Sequence, residues 1–129
     1  ATTRIVKDFD ARTPSIDTSA RALSGGNQQK LVIGREMAAS PRLLIAAHPT
    51  RGIDVGAQAA VWEELRTARR NGLALLLVSA DLEELLGLAD RLVVMRRGRV
   101  VAELDPGTTT PRQLGGYMTG AEDVTGDEE

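Results

Sequence analysis

The sequence predicts an α/β domain in which a mostly parallel sheet is flanked by helices. Two continuous apolar runs, 43–47 and 73–78, show no polar alternation, which is typical of strands covered on both faces of a sheet. Segments with apolar residues at helical spacing lie between and after these runs. Because strands and helices therefore alternate along the chain, the sequence favours parallel strands joined by helical crossovers.

The first part of the chain contains a loop and one helix. Residues 4–12 are too short and mixed to assign, and 13–21, with a proline and several Ser and Thr residues, predict a connecting loop. Ser24 stands where a helix cap is expected, and Ser40-Pro41 predicts the end of the helix that follows. One face of that helix, predicted over 25–39, is formed by Leu31, Gly34, Met37 and Ala38.

Further elements follow the strand at 43–47. A second helix is predicted before Asn71-Gly72, a pair that indicates a left-handed helix exit. Its small and apolar residues recur at helical spacing: Ala57, Ala60, Val61, Leu65 and Ala68. After the strand at 73–78 we expect a short helix at 81–88 and an edge hairpin of 92–95 with 100–104. A last short helix is predicted at 111–118, so 1–120 would form the domain. The acidic segment 121–129 is expected to be disordered.

Composition limits the classes of function. The 129 residues carry a formal charge of −2, and the mixed signs argue against nucleic-acid binding through a basic surface. There is no Cys, which fits a reducing compartment and predicts the cytoplasm. The apolar runs are far shorter than the roughly 20 residues that span a bilayer, so no direct membrane insertion is expected.

Four strings stand in a fixed order along the chain. They are L-S-G-G-N-Q-Q-K at 23–30, L-L-I-A-A-H-P-T-R-G-I-D at 43–54, L-L-L-V-S-A-D-L at 75–82 and A-D-R-L-V-V-M-R-R-G-R-V at 89–100. In this order they resemble the latter part of an ABC transporter nucleotide-binding domain, and the resemblance covers roughly 5–120. The N-Q-Q-K continuation and L-G-G-Y-M-T-G at 114–120 resemble the second, carboxy-terminal cassette of importers for simple sugars or nucleosides.

The resemblance implies a partial P-loop NTPase fold that works in an assembly. ATP and Mg²⁺ would be held mainly by a partner cassette, and transmembrane permease subunits would be further partners. The expected location is the cytoplasmic face of the cell membrane. The Walker A string G-x-x-x-x-G-K-[ST], which would hold phosphates within the same cassette, does not occur in these residues. We therefore expect the segment to be a cassette without its Walker A portion.

Ser24, Gly25, Gly26 and Asn27 are the candidate nucleotide contacts. Two residues without side chains let backbone N–H groups approach a phosphate, and the start of the following helix adds a partial positive charge. The resemblance implies that this motif grips the γ-phosphate of ATP bound by the partner cassette. The alternative is structural, with Ser24 as a helix cap and the glycines as a turn.

The cassette's own catalytic groups are replaced. Phosphoryl transfer needs a carboxylate that organises Mg²⁺ and a group that orients water, and the family usually supplies Asp-Glu before Pro-Thr. Here Ala47 and His48 occupy these positions, and Ala80 stands where the family usually has a switch His. His48 could accept a proton in principle, but a base without its metal anchor is a poor catalyst. We expect a degenerate site that is inactive by itself and holds no metal.

Gly52, Ile53 and Asp54 match the loop that crosses the cassette dimer interface in the family. Asp54 also stands where it would cap the next helix, and both roles are compatible. Two other functions remain open: a non-enzymatic remnant or interaction module of the same fold, and a related ATPase of DNA repair or translation. The last would carry coiled-coil heptads or basic patches, and neither occurs. Without a Walker A strand we also expect uncovered apolar surface and weak independent stability.

Overall fold

The computed structural model describes residues 2–8 and 10–121. Their contacts divide the chain into two compact units, Ala1–Val78 and Ser79–Glu129. The acidic tail predicted at 121–129 lies outside the described residues except for Ala121. Each unit is described separately below.

The first unit contains a helix pair and a parallel strand pair. Its elements are helix α1 at Thr2–Asp8, a 3₁₀ turn at Ala20–Ala22, helix α2 at Gly25–Ala38, strand β1 at Leu43–Ala47, helix α3 at Val55–Arg70 and strand β2 at Ala74–Val78. Strands β1 and β2 are parallel and in register from Leu43 opposite Ala74 to Ala47 opposite Val78. This β1–α3–β2 unit confirms the predicted crossover connection.

Local chemistry explains where the helices of the first unit begin and end. The side chain of Ser24 accepts a hydrogen bond from the backbone N–H of Asn27 at the start of α2, and Asp54 does the same for α3. The chain leaves α2 through Ser40, whose φ is 49°, and leaves α3 through Gly72, whose φ is 96°. Left-handed residues of this kind commonly follow a helix C-terminus, as predicted for Asn71-Gly72.

Helix α1 lies in a segment that could not be assigned from the sequence. It spans seven residues, and its exposed Arg4 and Asp8 form an ion pair of 3.3 Å at i, i+4 spacing. An exposed pair of this kind stabilises a helix by only about 0.3–0.5 kcal/mol. The helix packs against α2, and this tertiary contact could not be read from so short a segment.

The buried face of α2 differs in part from the predicted one. Gly34 is buried as expected, but Ala38 is exposed, and Ile33 is a buried residue that the prediction missed. Ala38 is the last residue of α2, and the half-buried Met37 precedes it. Further buried side chains in this unit are those of Val61, Leu65 and Leu73. The core of the unit therefore lies where α2 and α3 meet the strand pair.

One face of the β1–β2 pair is open, so the prediction that both strands are covered on both faces is wrong for this chain. Leu43 is 54% exposed and Ile45 62%, and on the neighbouring strand Leu76 is 52% exposed and Val78 48%. The alternate residues, such as Leu44 and Leu75, are half-buried. Parallel strands usually have apolar residues on both faces because both are normally packed. The sequence pattern was that of a buried strand, but within its unit only one face is covered.

The second unit is a hairpin packed against two helices. Its elements are helix α4 at Leu82–Leu88, strand β3 at Leu92–Arg96, strand β4 at Arg99–Leu104 and helix α5 at Pro111–Thr119. Strands β3 and β4 are antiparallel, and Gly98 takes a φ of 77° in the turn between them. The core is formed by Leu92, Val94 and Leu114, with Tyr117 and Met118 packed against it.

The α/β class is confirmed, but the strands do not form one mostly parallel sheet. They form two separate two-stranded sheets, one parallel (β1–β2) and one antiparallel (β3–β4). The predicted hairpin is therefore correct, whereas its place at the edge of a shared sheet is not. Within the described residues, no helix combines the length and the apolar character needed to cross a membrane.

The open sheet face leads to a prediction for the isolated chain. We expect self-association or a broad, non-cooperative unfolding transition, because a contiguous apolar patch on a strand pair favours association. Sedimentation velocity over a concentration series measures the self-association. Ile45→Thr should raise the fraction of monomer. Val55→Thr, which removes an isolated side chain that is 81% exposed, is the matched control and should change little. A sharp cooperative transition of a monomer would contradict the prediction.

Candidate functional site

The candidate site begins at the N-terminus of α2. Ser24 caps the helix and is exposed, and Gly25 and Gly26 are its first two residues. The backbone N–H groups of the first helical turn have no partner four residues earlier, and they carry the positive end of the helix dipole. The N–H of Asn27 is bonded to the Ser24 hydroxyl and that of Gln28 to the Ser24 carbonyl, at 3.3 and 2.9 Å. Within residues 2–8 and 10–121, the N–H groups of the two glycines have no acceptor, so they can donate to an acceptor-rich group.

Asn27 is half-buried and uses both ends of its side-chain amide within the protein. Its Nδ2 donates to the Oγ of Ser24 at 3.0 Å, and its Oδ1 accepts from the backbone N–H of Arg12 at 2.9 Å. Lys30 adds a second connection, because its Nζ donates to the carbonyl of Asp10 at 3.1 Å. The loop at 10–12 is thus attached to the first turns of α2. Sequence reasoning missed this loop, because a backbone N–H donor leaves no mark in residue type.

The two glycines have different surroundings. A Cβ on Gly25 would lie 3.2 Å from the Cγ2 of Ile53 and 3.6 Å from the carbonyl oxygen of Gly52. A Cβ on Gly26 would instead overlap the Cβ of Ala57 on α3, and Gly26 is buried. Gly26 therefore permits the close approach of α2 and α3, while Gly25 faces the turn before α3. A role in helix packing accounts for Gly26 whether or not it also meets a phosphate.

The structure brings the turn at 52–54 next to the start of α2. Gly52 has a φ of 76°, and the N–H of Ile53 points to the carbonyl of Thr50 at 3.4 Å. Asp54 follows in an extended conformation, and its Oδ1 accepts from the N–H of Ala57 at 3.0 Å. The structural alternative considered for Asp54 is thus present. The two motifs predicted to lie at a cassette interface are neighbours through the contact of Gly25 with Ile53.

Ala47 and His48 end strand β1 and are both exposed. His48 continues the pairing of the strands, because its N–H donates to the carbonyl of Val78 at 2.8 Å. It then turns the chain with a φ of 48°, and its carbonyl accepts from the N–H of Arg51 at 3.1 Å. Histidine is one of the few residues other than glycine that is enriched in this region of φ. The turn fixes the backbone of His48 and leaves its imidazole at the surface.

Ala80 is exposed and lies between β2 and α4, in the second unit. The residue after it, Asp81, caps α4 by accepting from the N–H of Glu84 at 2.9 Å. Its own N–H donates to the Oγ of Ser79 at 3.0 Å. Over 2–8 and 10–121, no three His, Cys, Asp or Glu residues are grouped so that they could hold a metal ion.

Two carboxyl groups with shifted pKa values lie on α3. The hydrogen bond from Arg70, with a 2.7 Å contact, lowers the pKa of the exposed Glu63. Partial burial raises the pKa of Glu64, opposed by the charge of Lys30. Arg66 contacts Glu63 at 3.8 Å and lies 5.9 Å from the ring centroid of Trp62. These groups form a charged surface on α3, and a surface network of this kind has only a small effect on stability.

Comparisons with known proteins find relatives among import ATP-binding proteins. No known family model matches the chain. The guanosine import ATP-binding protein NupO of Bacillus subtilis is 50% identical over 117 residues, which cover 91% of this chain and 23% of NupO. The ribose import ATP-binding protein RbsA 1 of Rubrobacter xylanophilus is 43% identical over 123 residues, or 95% of this chain and 25% of the relative. The chain thus spans about a quarter of the length of these relatives.

Solved structures of the same fold are twice as long as this chain. A nucleotide-free ATP-binding cassette from an ABC transporter matches with a TM-score of 0.75 and 21% identity, over 96% of this chain and 47% of the cassette. A dimeric post-hydrolysis state of the ATP-binding cassette MJ0796, bound to ADP and Pi, matches with a TM-score of 0.69, 21% identity and coverage of 81% and 45%. The chain is therefore a homologue of the ATP-binding proteins of ABC transporters that import sugars and nucleosides, and it has the fold of part of an ABC ATPase cassette.

Proposed function

We propose that this chain is the carboxy-terminal part of a second nucleotide-binding cassette in an importer of simple sugars or nucleosides. Ser24, Gly25 and Gly26 would grip the γ-phosphate of ATP that a partner cassette holds. The observation that carries the proposal is the exposed Ser24 residue beside the backbone N–H groups of the two glycines at the start of a 14-residue helix, for which the described part of the chain provides no acceptor. Donors converging at the positive end of a helix favour a phosphate.

The position of this helix start supports a role at an interface between cassettes. A Cβ on Gly25 would lie 3.2 Å from the Cγ2 of Ile53, so the helix start and the turn at 52–54 lie side by side, and we assign both to the surface that meets a partner. Asp54 caps α3 and fixes the turn that carries Gly52 and Ile53. The dimeric MJ0796 cassette supports the idea that cassettes of this fold pair. A partner cassette would complete the nucleotide site by supplying the Walker A loop and the Mg²⁺ ligands.

The end of β1 supports the second half of the proposal, a degenerate site on this cassette. The side chain of Ala47 has no group that could bind Mg²⁺, and the chain neighbours of the exposed His48, Ala47 and Pro49, carry no carboxylate that could organise a metal. Ala80, which follows β2, offers no hydrogen-bonding side chain to a phosphate. We therefore assign the ATP hydrolysis of the assembled transporter to the site built on the partner's Walker A loop. The assembly would sit on the cytoplasmic face of the membrane, bound to permease subunits.

The binding and the dissociation rate of a fluorescent, non-hydrolysable ATP analogue test this function. The analogue should not bind to this chain alone, and the chain should slow its dissociation from a partner cassette that has a Walker A loop. ADP, which has no γ-phosphate, should dissociate at the same rate with and without the chain. If the chain also leaves the dissociation rate of the ATP analogue unchanged, it is a non-enzymatic interaction module, and the proposed grip on the γ-phosphate is rejected.

A further inference from the structure

The Ser24 hydroxyl has an unusual hydrogen-bond balance. Its oxygen accepts twice, from the backbone N–H of Asn27 at 3.3 Å and from the Nδ2 of Asn27 at 3.0 Å. A hydroxyl group has two acceptor positions and one hydrogen to donate, so both acceptor positions are filled. Among the described residues, the hydroxyl hydrogen has no acceptor. Ser24 can therefore offer an incoming group only a donor.

The polarity of Ser24 depends on which way the Asn27 amide points. The two ends of an amide are opposite in function, because the oxygen accepts and the nitrogen donates. The N–H of Arg12 can only donate, and it lies 2.9 Å from Oδ1. This contact directs Oδ1 to the loop at 10–12 and Nδ2 to Ser24. The loop is itself anchored, since Ala11 is buried and Lys30 holds the carbonyl of Asp10.

We propose that Asn27 is a positioning residue that makes the Ser24 hydroxyl an obligatory donor and so selects an acceptor-rich phosphate at the start of α2. A hydroxyl that was free to rotate would present a lone pair or a hydrogen to a ligand. Fixed by Asn27, it adds its donor to the N–H groups of Gly25 and Gly26, and all three donors have the polarity that a phosphate oxygen requires. This inference rests on the proposed clamp and explains how the clamp recognises a phosphate.

Aspartate is the informative replacement at position 27. Asn27→Asp keeps the shape of the side chain and an oxygen for the N–H of Arg12, but its second oxygen cannot donate to Ser24. The Ser24 hydroxyl would then donate to the carboxylate and be withdrawn from a ligand. A negative charge in the first turn favours the helix, so Asn27→Asp should not lower helix stability. Its effects on ligand binding and on folding are thus expected to differ.

The test is a double-mutant cycle of Ser24→Ala and Asn27→Asp in the assembled transporter. The readout is the affinity for a non-hydrolysable ATP analogue compared with ADP. Each single variant should lower the affinity for the ATP analogue by about tenfold, the effect of losing one hydrogen bond to a charged group. Adding Asn27→Asp to Ser24→Ala should lower it little further. In Asn27→Asp, ADP affinity should stay unchanged and the thermal unfolding temperature should not fall, which a purely structural role of Asn27 would not allow. Ser24→Ala removes the cap of α2 and should lower the thermal unfolding temperature in both variants that carry it.

The outcomes separate the two proposals. If Ser24→Ala leaves the affinity for the ATP analogue unchanged, the clamp itself fails. If Ser24→Ala weakens binding but Asn27→Asp is just as harmful in its presence, then the new carboxylate repels the phosphate, or Asn27 contacts it directly, and the positioning role is overturned. Equal losses for ATP and ADP in Asn27→Asp would also overturn it, because they indicate a general structural defect.

Discussion

Replacing Ser24 by arginine is expected to abolish ATP hydrolysis and uptake by the assembled transporter. The hydroxyl that accepts from the backbone and side chain of Asn27 would be lost, and with it the cap of α2, worth about 1 kcal/mol. The larger effect is steric and local. A guanidinium group on a long side chain would occupy the space beside Gly25 where the phosphate of a partner's ATP is proposed to lie. Hydrolysis and substrate uptake, measured on the same preparation, should fall together to background.

His48→Ala is the matched control for Ser24→Arg and should change hydrolysis little. His48 is exposed at the end of β1, and its turn is held by backbone hydrogen bonds to Val78 and Arg51. Because alanine tolerates a φ of 48° less well than histidine, His48→Asn provides a second variant suited to that backbone. A large loss of hydrolysis in both variants would make His48 a catalytic group and reject the degenerate site.

The elements predicted best were those whose signals are local. The start of α2 was marked by Ser24, its end by Ser40-Pro41, and the exit from α3 by Asn71-Gly72, and all three lie where expected. Helix caps and left-handed turns depend on one or two residues, so they can be predicted from short stretches of sequence. The hairpin around Gly98 was predicted for the same reason.

Features that depend on distant contacts could not be read in this way. The apolar runs of β1 and β2 predicted two covered faces, yet Ile45 and Leu76 are more than half exposed. Residue type records the environment for which a strand is suited, whereas burial depends on what is packed against it. Helix α1 and the contact of Arg12 with Asn27 were missed because each depends on a neighbour far along the chain.

In the candidate site, too, the local features were predicted and the contacts between distant residues were not. The string Ser24-Gly25-Gly26 predicted a helix start with two close approaches, and the structure assigns a different neighbour to each glycine. Spacing alone could not tell that a Cβ on Gly26 would meet Ala57 on α3. A glycine in a binding motif can be required by packing as much as by chemistry, so the two requirements must be tested separately.

Gly26→Ala is expected to destabilise the first unit by about 1–3 kcal/mol, the usual cost of overpacking a tight contact. The new methyl group would overlap the Cβ of Ala57, which is close to the backbone of α3 and cannot turn aside as a long side chain could. In an unobstructed helix the same change would stabilise by up to about 1 kcal/mol. Amide hydrogen exchange across α2 and α3 measures the local opening that results. At Gly25 the new methyl group would lie 3.2 Å from the Cγ2 methyl of Ile53, a tight contact but not an overlap, so Gly25→Ala should destabilise less.

Moving the methyl group from one helix to the other gives the sharpest test of this contact. In the double variant Gly26→Ala with Ala57→Gly, the methyl on α2 would fill the space left on α3. The change in helix propensity would nearly cancel, because each helix exchanges Gly for Ala once. The double variant should therefore be more stable than Gly26→Ala, although Ala57→Gly alone costs about 1 kcal/mol. If the second change adds to the damage of the first, Gly26 is not required by the packing of α2 on α3, and its role must lie with the phosphate.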